Sequence, residues 1–391
     1  MPCRTNGREV RVLEGRSSYL VQSVIHAMEV LSAFRSMGDE LRLRDVVERT
    51  GLNKGLCFRL LHTLHHCGWL EKVDVHRYRR IYDSGRRNRY RIGYAAQGQD
   101  SSFPREVLGG LQRAAEQREV ELVVVNNRYR PRVALKNAEQ LVREGVGLVI
   151  EFQTDEAVAP AIASTYLEAQ IPIIAIDIPH PGATYFGANN YQAGLLAGRH
   201  LGKWARLHWR GEVDEILLLE LARAGSLVHA RISGAIAGIH EVLPDKAAPT
   251  PVVALDGDGQ FKTSLEKVRR HLRVSKADHI LVAAANDPSA LGAARAFQEA
   301  GRADACAIVG QNGEPDARAE LREARTPLIG TVGFFPERYG DQLIKLALDI
   351  LSERQTPPAL FIRHQLITAE NVDHLYPNDA LLQQVPPVSM G

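Results

Sequence analysis

From Arg91 onward, short apolar runs return at a cadence of about 25–29 residues, at 92–96, 122–125, 148–150 and 173–176, with helical stretches between them. Consecutive parallel strands need a crossover of a dozen or more residues, usually a helix, so this cadence predicts βαβ units and a parallel sheet. Further runs at 216–219, 252–255, 280–283, 307–309 and 329–332 bring the expected strands to nine. That is many for a single compact sheet, and two lobes are expected, each a sheet covered by helices.

The first ninety residues follow another rule. Val21, Val24, Ile25, Met28 and Leu31 are spaced to share one face of a helix. Leu43, Val46 and Val47 continue on a second, shorter helix. Thr50-Gly51-Leu52 interrupts the pattern, and Asn53 is a good N-cap for a third helix carrying Leu56, Leu60, Leu61 and Leu64. Two short helices joined by a glycine-containing turn make a helix-turn-helix, whose second helix suits a DNA major groove. Residues 69–73 and 78–82, around the turn 74–77, read as a basic hairpin placed like the wing of a winged helix.

Charge divides along the same line. Residues 1–89 hold 17 Lys/Arg against 10 Asp/Glu, net +7, whereas residues 90–391 hold 31 against 36, net −5. The densest basic run, Arg77, Arg79, Arg80, Arg86, Arg87, Arg89 and Arg91 with Tyr78, Tyr82 and Tyr90 interleaved, suits phosphate neutralisation, or else a solvated linker.

Tyr19-Leu20-Val21-Gln22-Ser23-Val24, Leu41-Arg42-Leu43-Arg44-Asp45-Val46-Val47, Thr50-Gly51-Leu52-Asn53-Lys54, Arg59-Leu60-Leu61-His62-Thr63-Leu64 and Gly68-Trp69-Leu70-Glu71 stand in the order and spacing of one motif. The segment 18–82 resembles the N-terminal winged helix of the IclR family of transcription regulators. It departs from the family at Gly55-Leu56, where members often carry Ser-Thr. The resemblance implies operator DNA as a partner, with Lys54, Gly55, Phe58 and Arg59 on the recognition helix and Arg77 and Arg79 on the wing. Phe58 has two open readings, contact with thymine methyl groups or packing against a neighbouring helix.

Residues 90–365 carry Asn189-Asn190-Tyr191-Gln192-Ala193-Gly194, Ala285-Asn286-Asp287-Pro288-Ser289-Ala290-Leu291-Gly292-Ala293 and Gly310-Gln311-Asn312-Gly313. This part resembles the type I periplasmic-binding-protein fold of ribose-binding protein and of the effector domains of lac-repressor-type regulators. Ligands of open parallel sheets bind beyond the carboxyl ends of the strands. The resemblance puts Ser101, Phe103, Glu151, Phe152, Asp177, Arg231, Gln260, Asn286, Asn312 and Phe334 there, with Arg231 starting the helix after its strand. Bidentate Asp, Asn and Arg groups suit sugar hydroxyls, and aromatic faces suit sugar rings. Where sugar-binding relatives often carry Arg after the strand-four Asp, this chain has Ile178, which implies a ligand less hydroxylated than ribose, or one that is not a sugar.

Other classes are disfavoured. No apolar run reaches the roughly 18 residues of a membrane helix, and the Arg-rich start has no apolar h-region, so a cytoplasmic protein is expected. Four cysteines do not make a disulfide framework. His62, His65, His66 and Cys67 lack a companion ligand cluster, and Asp256-Gly257-Asp258-Gly259 meets Lys267 where a calcium loop needs Glu, so neither metal nor cofactor is expected. G-x-S-x-G, Walker and Rossmann signatures are absent, and the H-x-x-x-H spacing of His62 and His66 has no companion ligands, which argues against an enzyme.

The expectation is an α/β chain, a two-lobed type I periplasmic-binding-protein-like domain preceded by a small winged helix-turn-helix. The ranges are 18–82 for the winged helix, 83–90 for an Arg-rich linker and 91–391 for the sensor. Its lobes are expected at about 91–212 plus 335–355 and about 213–334 plus 356–391. Such a chain reads as a ligand-responsive regulator acting as a homodimer, with a carbohydrate effector, operator DNA and no membrane partner. The alternatives are a small-molecule-binding module whose helical head holds a protein partner, and a carbohydrate-modifying enzyme.

Overall fold

A computed structural model describes residues 20–35, 39–80, 90–153, 155–243 and 249–379. The chain divides into two compact units, Met1–Asn88 and Arg89–Gly391. The Arg-rich stretch at 83–89, both ends of the 18–82 range and residues 380–391 lie outside the described residues.

The first unit runs α1 (Gln22–Ser32), β1 (Glu40–Arg42), α2 (Leu43–Thr50), α3 (Lys54–His66), β2 (Leu70–Lys72) and β3 (Arg77–Arg80). The strands form an antiparallel sheet in the order β1-β3-β2, with Leu41 opposite Tyr78 and Leu70 opposite Arg80. Gly51 ends α2 at φ +69°, a conformation open to glycine, and the Asn53 side chain accepts the Leu56 N–H at 2.8 Å to start α3. Val30, Leu31, Phe34, Val46, Cys57, Leu61, Leu64, Leu70 and Tyr78 fill the core. Asn53→Ala is expected to destabilise this unit by about 1 kcal/mol in urea titration and Asn53→Ser to restore it; equal midpoints would contradict the cap.

The face marked by spacing on α1 does not turn inward. Val21, Val24 and Met28 are 57–61% exposed, and only Leu31 of that set is buried. Periodicity identifies a face, but not what lies opposite it.

The second unit begins β4 (Arg91–Ala96), α4 (Ser102–Gln117), β5 (Glu121–Asn126), α5 (Pro131–Arg143), β6 (Leu148–Phe152), α6 (Ala159–Glu168), β7 (Ile173–Ile176), β8 (Thr184–Gly187) and α7 (Asn190–His208). It continues β9 (Glu215–Glu220), α8 (Gly225–Val242), β10 (Val252–Asp256), α9 (Phe261–Leu272), β11 (Ile280–Ala284), α10 (Asp287–Glu299), β12 (Cys306–Asn312), α11 (Pro315–Glu320) and β13 (Leu328–Gly333). It closes with α12 (Tyr339–Leu351), β14 (Ala359–Phe361), β15 (Gln365–Ile367) and α13 (Val372–Leu375). One sheet has the order β14-β8-β7-β6-β4-β5, the other β10-β9-β11-β12-β13-β15, and every pairing is parallel except β13 with β15.

Two expected lobe borders are corrected. Helix α7 packs along α8 and against β11, β12 and β13, so residues 190–208 belong to the second lobe. Strand β14 pairs with β8, so residues 359–361 belong to the first. The cause of the first correction is glycine: Cβ atoms at Gly194 and Gly198 would collide with the Arg231 and Ala235 carbonyls, so α7 and α8 meet backbone to backbone.

The chain thus crosses between sheets after β8, after β13 and between β14 and β15. His364, in the third crossing, touches the other two. Its Nε2 accepts the Asn189 N–H at 3.0 Å, and its ring lies 4.9 Å from that of Phe334. Burial, with the nearby Arg231 charge, lowers the imidazole to about 4, which keeps it neutral and able to accept.

Candidate functional site

Between the carboxyl ends of the two sheets lies a cleft of about 570 Å³. Of the residues expected there, the structure brings together Ser101, Phe103, Phe152, Asp177, Arg231, Gln260, Asn286 and Asn312.

On the first-lobe wall, Asp177 follows β7 at φ +60°, and Ile178 N–H donates to the Ile176 carbonyl at 2.7 Å. This tight, strained γ-turn sets the Asp177 carboxyl, whose Oδ1 accepts the Ala188 N–H at 3.2 Å, at the cleft floor. Phe103 and Phe152 supply an apolar wall, their ring centroids 6.2 Å apart. Ser101 and Tyr129 share a hydroxyl hydrogen bond of 2.9 Å at the edge.

From the second lobe comes Arg231, buried in the second turn of α8 rather than at its start as expected. Its Nε donates to Asn190 Oδ1 at 2.6 Å and its NH1 to the Ala285 carbonyl at 2.9 Å, while the guanidinium lies 4.8 Å from the centre of the Phe334 ring. Burial pulls Arg231 below its usual range and pushes Asp177 above its own, and their opposite charges offset part of each shift.

Asn286 caps α10 by accepting the Ser289 N–H at 3.1 Å, and its Nδ2 donates to the Gly259 carbonyl at 2.9 Å. Asn312 Nδ2 donates to Glu314 Oε1 at 2.8 Å. Beneath them, Asp287 accepts the Thr331 hydroxyl at 2.6 Å and the Glu314 N–H at 2.7 Å, tying the ends of β12 and β13 to the start of α10. Burial drives Asp287 well above the carboxylate range, and the neighbouring Glu314 adds to the shift.

Two expected residues do not line the cleft. Glu151 lies on the opposite face of β6 from Phe152, since successive strand side chains alternate. Its Oε1 accepts Asn127 Nδ2 at 2.9 Å and its Oε2 the Tyr166 hydroxyl at 3.1 Å. Phe334 is buried beneath Arg231 and supports it. The cleft also gains Gln97, Asp100, Gln153, Arg223, Asp258 and Glu314. Gln97 and Gln153 directly follow β4 and β6, so the strand-end rule applied evenly reaches both.

Burial raises Glu151 to about 8 against 4.5, with its hydrogen bonds pulling the other way. A carboxyl protonated in the fold and ionised when unfolded favours the fold fully below about 4.5 and loses that contribution as pH rises to about 8. Glu151→Gln is expected to remove this slope and to be more stable than the parent at pH 8 by an amount on the order of 2 kcal/mol. Urea midpoints at pH 5 and pH 8 check it; parallel slopes in both proteins would contradict it.

In the first unit, α3 presents Lys54, Gly55, Phe58 and Arg59 to solvent and has no carboxylate of its own. Phe58 is 54% exposed, so it is not packed into the core of this unit. The wing arginines are engaged within the chain. Arg79 pairs with Glu71 at 2.6 Å, and Arg77 with Glu40 at 3.3 Å and Asp74 at 3.5 Å. Among the described residues no three His, Cys, Asp or Glu side chains cluster as metal ligands, and no helix is long and apolar enough to cross a membrane.

Comparison with known proteins gives two family matches, a periplasmic binding protein domain over residues 92–355 and an IclR helix-turn-helix domain over residues 23–74. The ribose import binding protein of Salmonella typhimurium is 27% identical over 246 residues, spanning 62% of this chain and 78% of that protein. A periplasmic solute binding protein of Actinobacillus succinogenes, solved with D-allose, superposes with a TM-score of 0.63 at 20% identity, covering 73% of this chain and 99% of the other. A solute binding protein of Agrobacterium vitis, solved with allitol, gives a TM-score of 0.66 at 17% identity, covering 74% and 98%. With residues 92–355 matched, about two thirds of the whole chain, the chain belongs to the periplasmic binding protein domain family and carries an IclR helix-turn-helix domain ahead of it.

Proposed function

We propose that this protein is a cytoplasmic, one-component transcription regulator in which a neutral sugar or polyol in the cleft controls DNA binding by the winged helix. The observation that carries this is one chain holding both a carboxylate-free recognition helix and a cleft floored by Asp177 and Arg231. The relatives support the ligand class, one named for ribose import and two solved with D-allose and allitol. Phe103 and Phe152 offer an apolar wall to the carbon face of such a ligand, and Asp177, Arg231 and Asn312 offer polar groups to its hydroxyls.

The regulator acts as a homodimer, since two half-sites need two heads. The apolar face of α1, with Val21, Val24 and Met28 exposed, supports contact between like heads. A ligand with higher affinity for the closed lobes shifts the population toward closure and changes the spacing of the heads. The cleft serves binding and not turnover.

Thermal unfolding of the full chain against pentoses, hexoses and polyols tests the ligand half. One or a few compounds at about 100 times their Kd should stabilise it by about 2.7 kcal/mol. Asp177→Ala should abolish that response. A panel with no response, or a response that survives Asp177→Ala, would overturn the assignment of the cleft.

A further inference from the structure

Three contacts of the chain's own side chains span the cleft. Ile178, from the first lobe, is 3% exposed in a small apolar cluster with Ala224, Val228 and Leu221 of the second. Glu156, just before α6, places its carboxylate on the site a Cβ of Gly225 would occupy, at the start of α8. The Ser102 hydroxyl, at the start of α4, donates to Glu314 Oε2 at 2.6 Å.

The local backbone explains why Ile178 reaches across. The γ-turn at Asp177 reverses the chain just after β7, and His180 Nδ1 stands 2.9 Å from the Ile178 carbonyl, fixing the loop. Across the gap, Gly225 has φ +82° and ψ −174°, a region reserved almost wholly to glycine. The missing side chain there admits Glu156, whose negative charge suits a helix N-terminus. The turn and the glycine thus bring one apolar and one charged contact to the same side of the cleft.

We infer that Ile178 is a positioning residue. Its cluster with Ala224, Val228 and Leu221 is a latch that sets the balance between open and closed lobes, and through that balance the affinity of the cleft for its ligand. The latch works by apolar burial, which residue 178 loses when the lobes part. It deepens the sensor reading by naming what regulates the cleft, and only its effect on affinity rests on that reading. A ligand that binds the closed form has its apparent affinity scaled by the closed fraction.

The test is the distance between spin labels at Lys136→Cys in the first lobe and Val274→Cys in the second, in full-length protein whose native cysteines are replaced, with no sugar added. Ile178→Ser should raise the ratio of long-distance to short-distance populations on the order of tenfold. Gly225→Ala, a wedge at the second contact, should shift it the same way, and Ile178→Val should keep most of the parent distribution. Distributions unchanged by both Ile178→Ser and Gly225→Ala would overturn the latch. So would Ile178→Val opening the lobes as far as Ile178→Ser. Because the readout needs no ligand, a failed sugar panel leaves it intact, and unchanged distances leave the sensor reading intact.

Discussion

Arg231→Met is expected to abolish ligand-induced stabilisation and to lower the stability of the sensor unit by about 3 kcal/mol or more. The guanidinium serves several buried groups at once: it donates to Asn190 Oδ1 and the Ala285 carbonyl, covers Phe334 and offsets the charge of Asp177. Methionine keeps much of the apolar volume, so the loss comes from unsatisfied acceptors and an unbalanced carboxylate rather than from a cavity. Asp177→Asn separates binding from stability. It retains an oxygen for the Ala188 N–H while removing a charged acceptor from the cleft floor. Ligand response should then fall with a smaller change in urea midpoint than Arg231→Met gives. A sugar-induced shift that persists in Arg231→Met would remove Arg231 from the site.

On the DNA side, the double variant Lys54→Ala/Arg59→Ala should lower the slope of log K against log salt by about 2, close to one phosphate contact per lost cation, with a large loss of affinity at physiological salt. Both side chains are exposed on a helix without carboxylates. Arg79→Ala should change the slope less, because Glu71 and Glu40 already engage that guanidinium. Titrations of a duplex at several salt concentrations read both effects. An unchanged slope in the double variant would take α3 off the phosphate backbone.

The nine strands anticipated from apolar runs all appear, because buried parallel strands read as continuous Val, Ile, Leu and Ala segments. Strands β8, β14 and β15 were not anticipated; β8 and β15 interrupt their apolar residues with Thr, Gly or Gln, so neither reads as a continuous run. The reach of α7 into the second lobe was equally hidden, since it depends on Gly194 and Gly198 admitting the α8 backbone.

For the site, the resemblance together with the strand-end rule pointed to most of the first-lobe wall but not to its facing. Glu151 and Phe152 are neighbours in sequence and point to opposite sides of one sheet. Glu314 and Arg223 follow β12 and β9 more closely than Ser101 follows β4, and what turns them into the cleft is a segment path that tertiary contacts fix. For Glu314 the contact is the Asp287 carboxyl that holds its backbone N–H. Likewise the wing arginines looked available by composition and proved paired, which only the β1-β3-β2 sheet could reveal by bringing Glu40 and Glu71 beside them.

The most direct test is fluorescence anisotropy of a duplex from the gene's own upstream region, titrated with the full chain at fixed salt. It is run with and without the compound that stabilises the protein. Coupling between two sites is a free energy, and 1–3 kcal/mol corresponds to a change of roughly 5- to 150-fold in DNA affinity. Saturable binding is expected, with an affinity that this compound shifts within that range and that it does not shift in Asp177→Ala. DNA binding indifferent to a compound that demonstrably occupies the cleft would contradict this expectation.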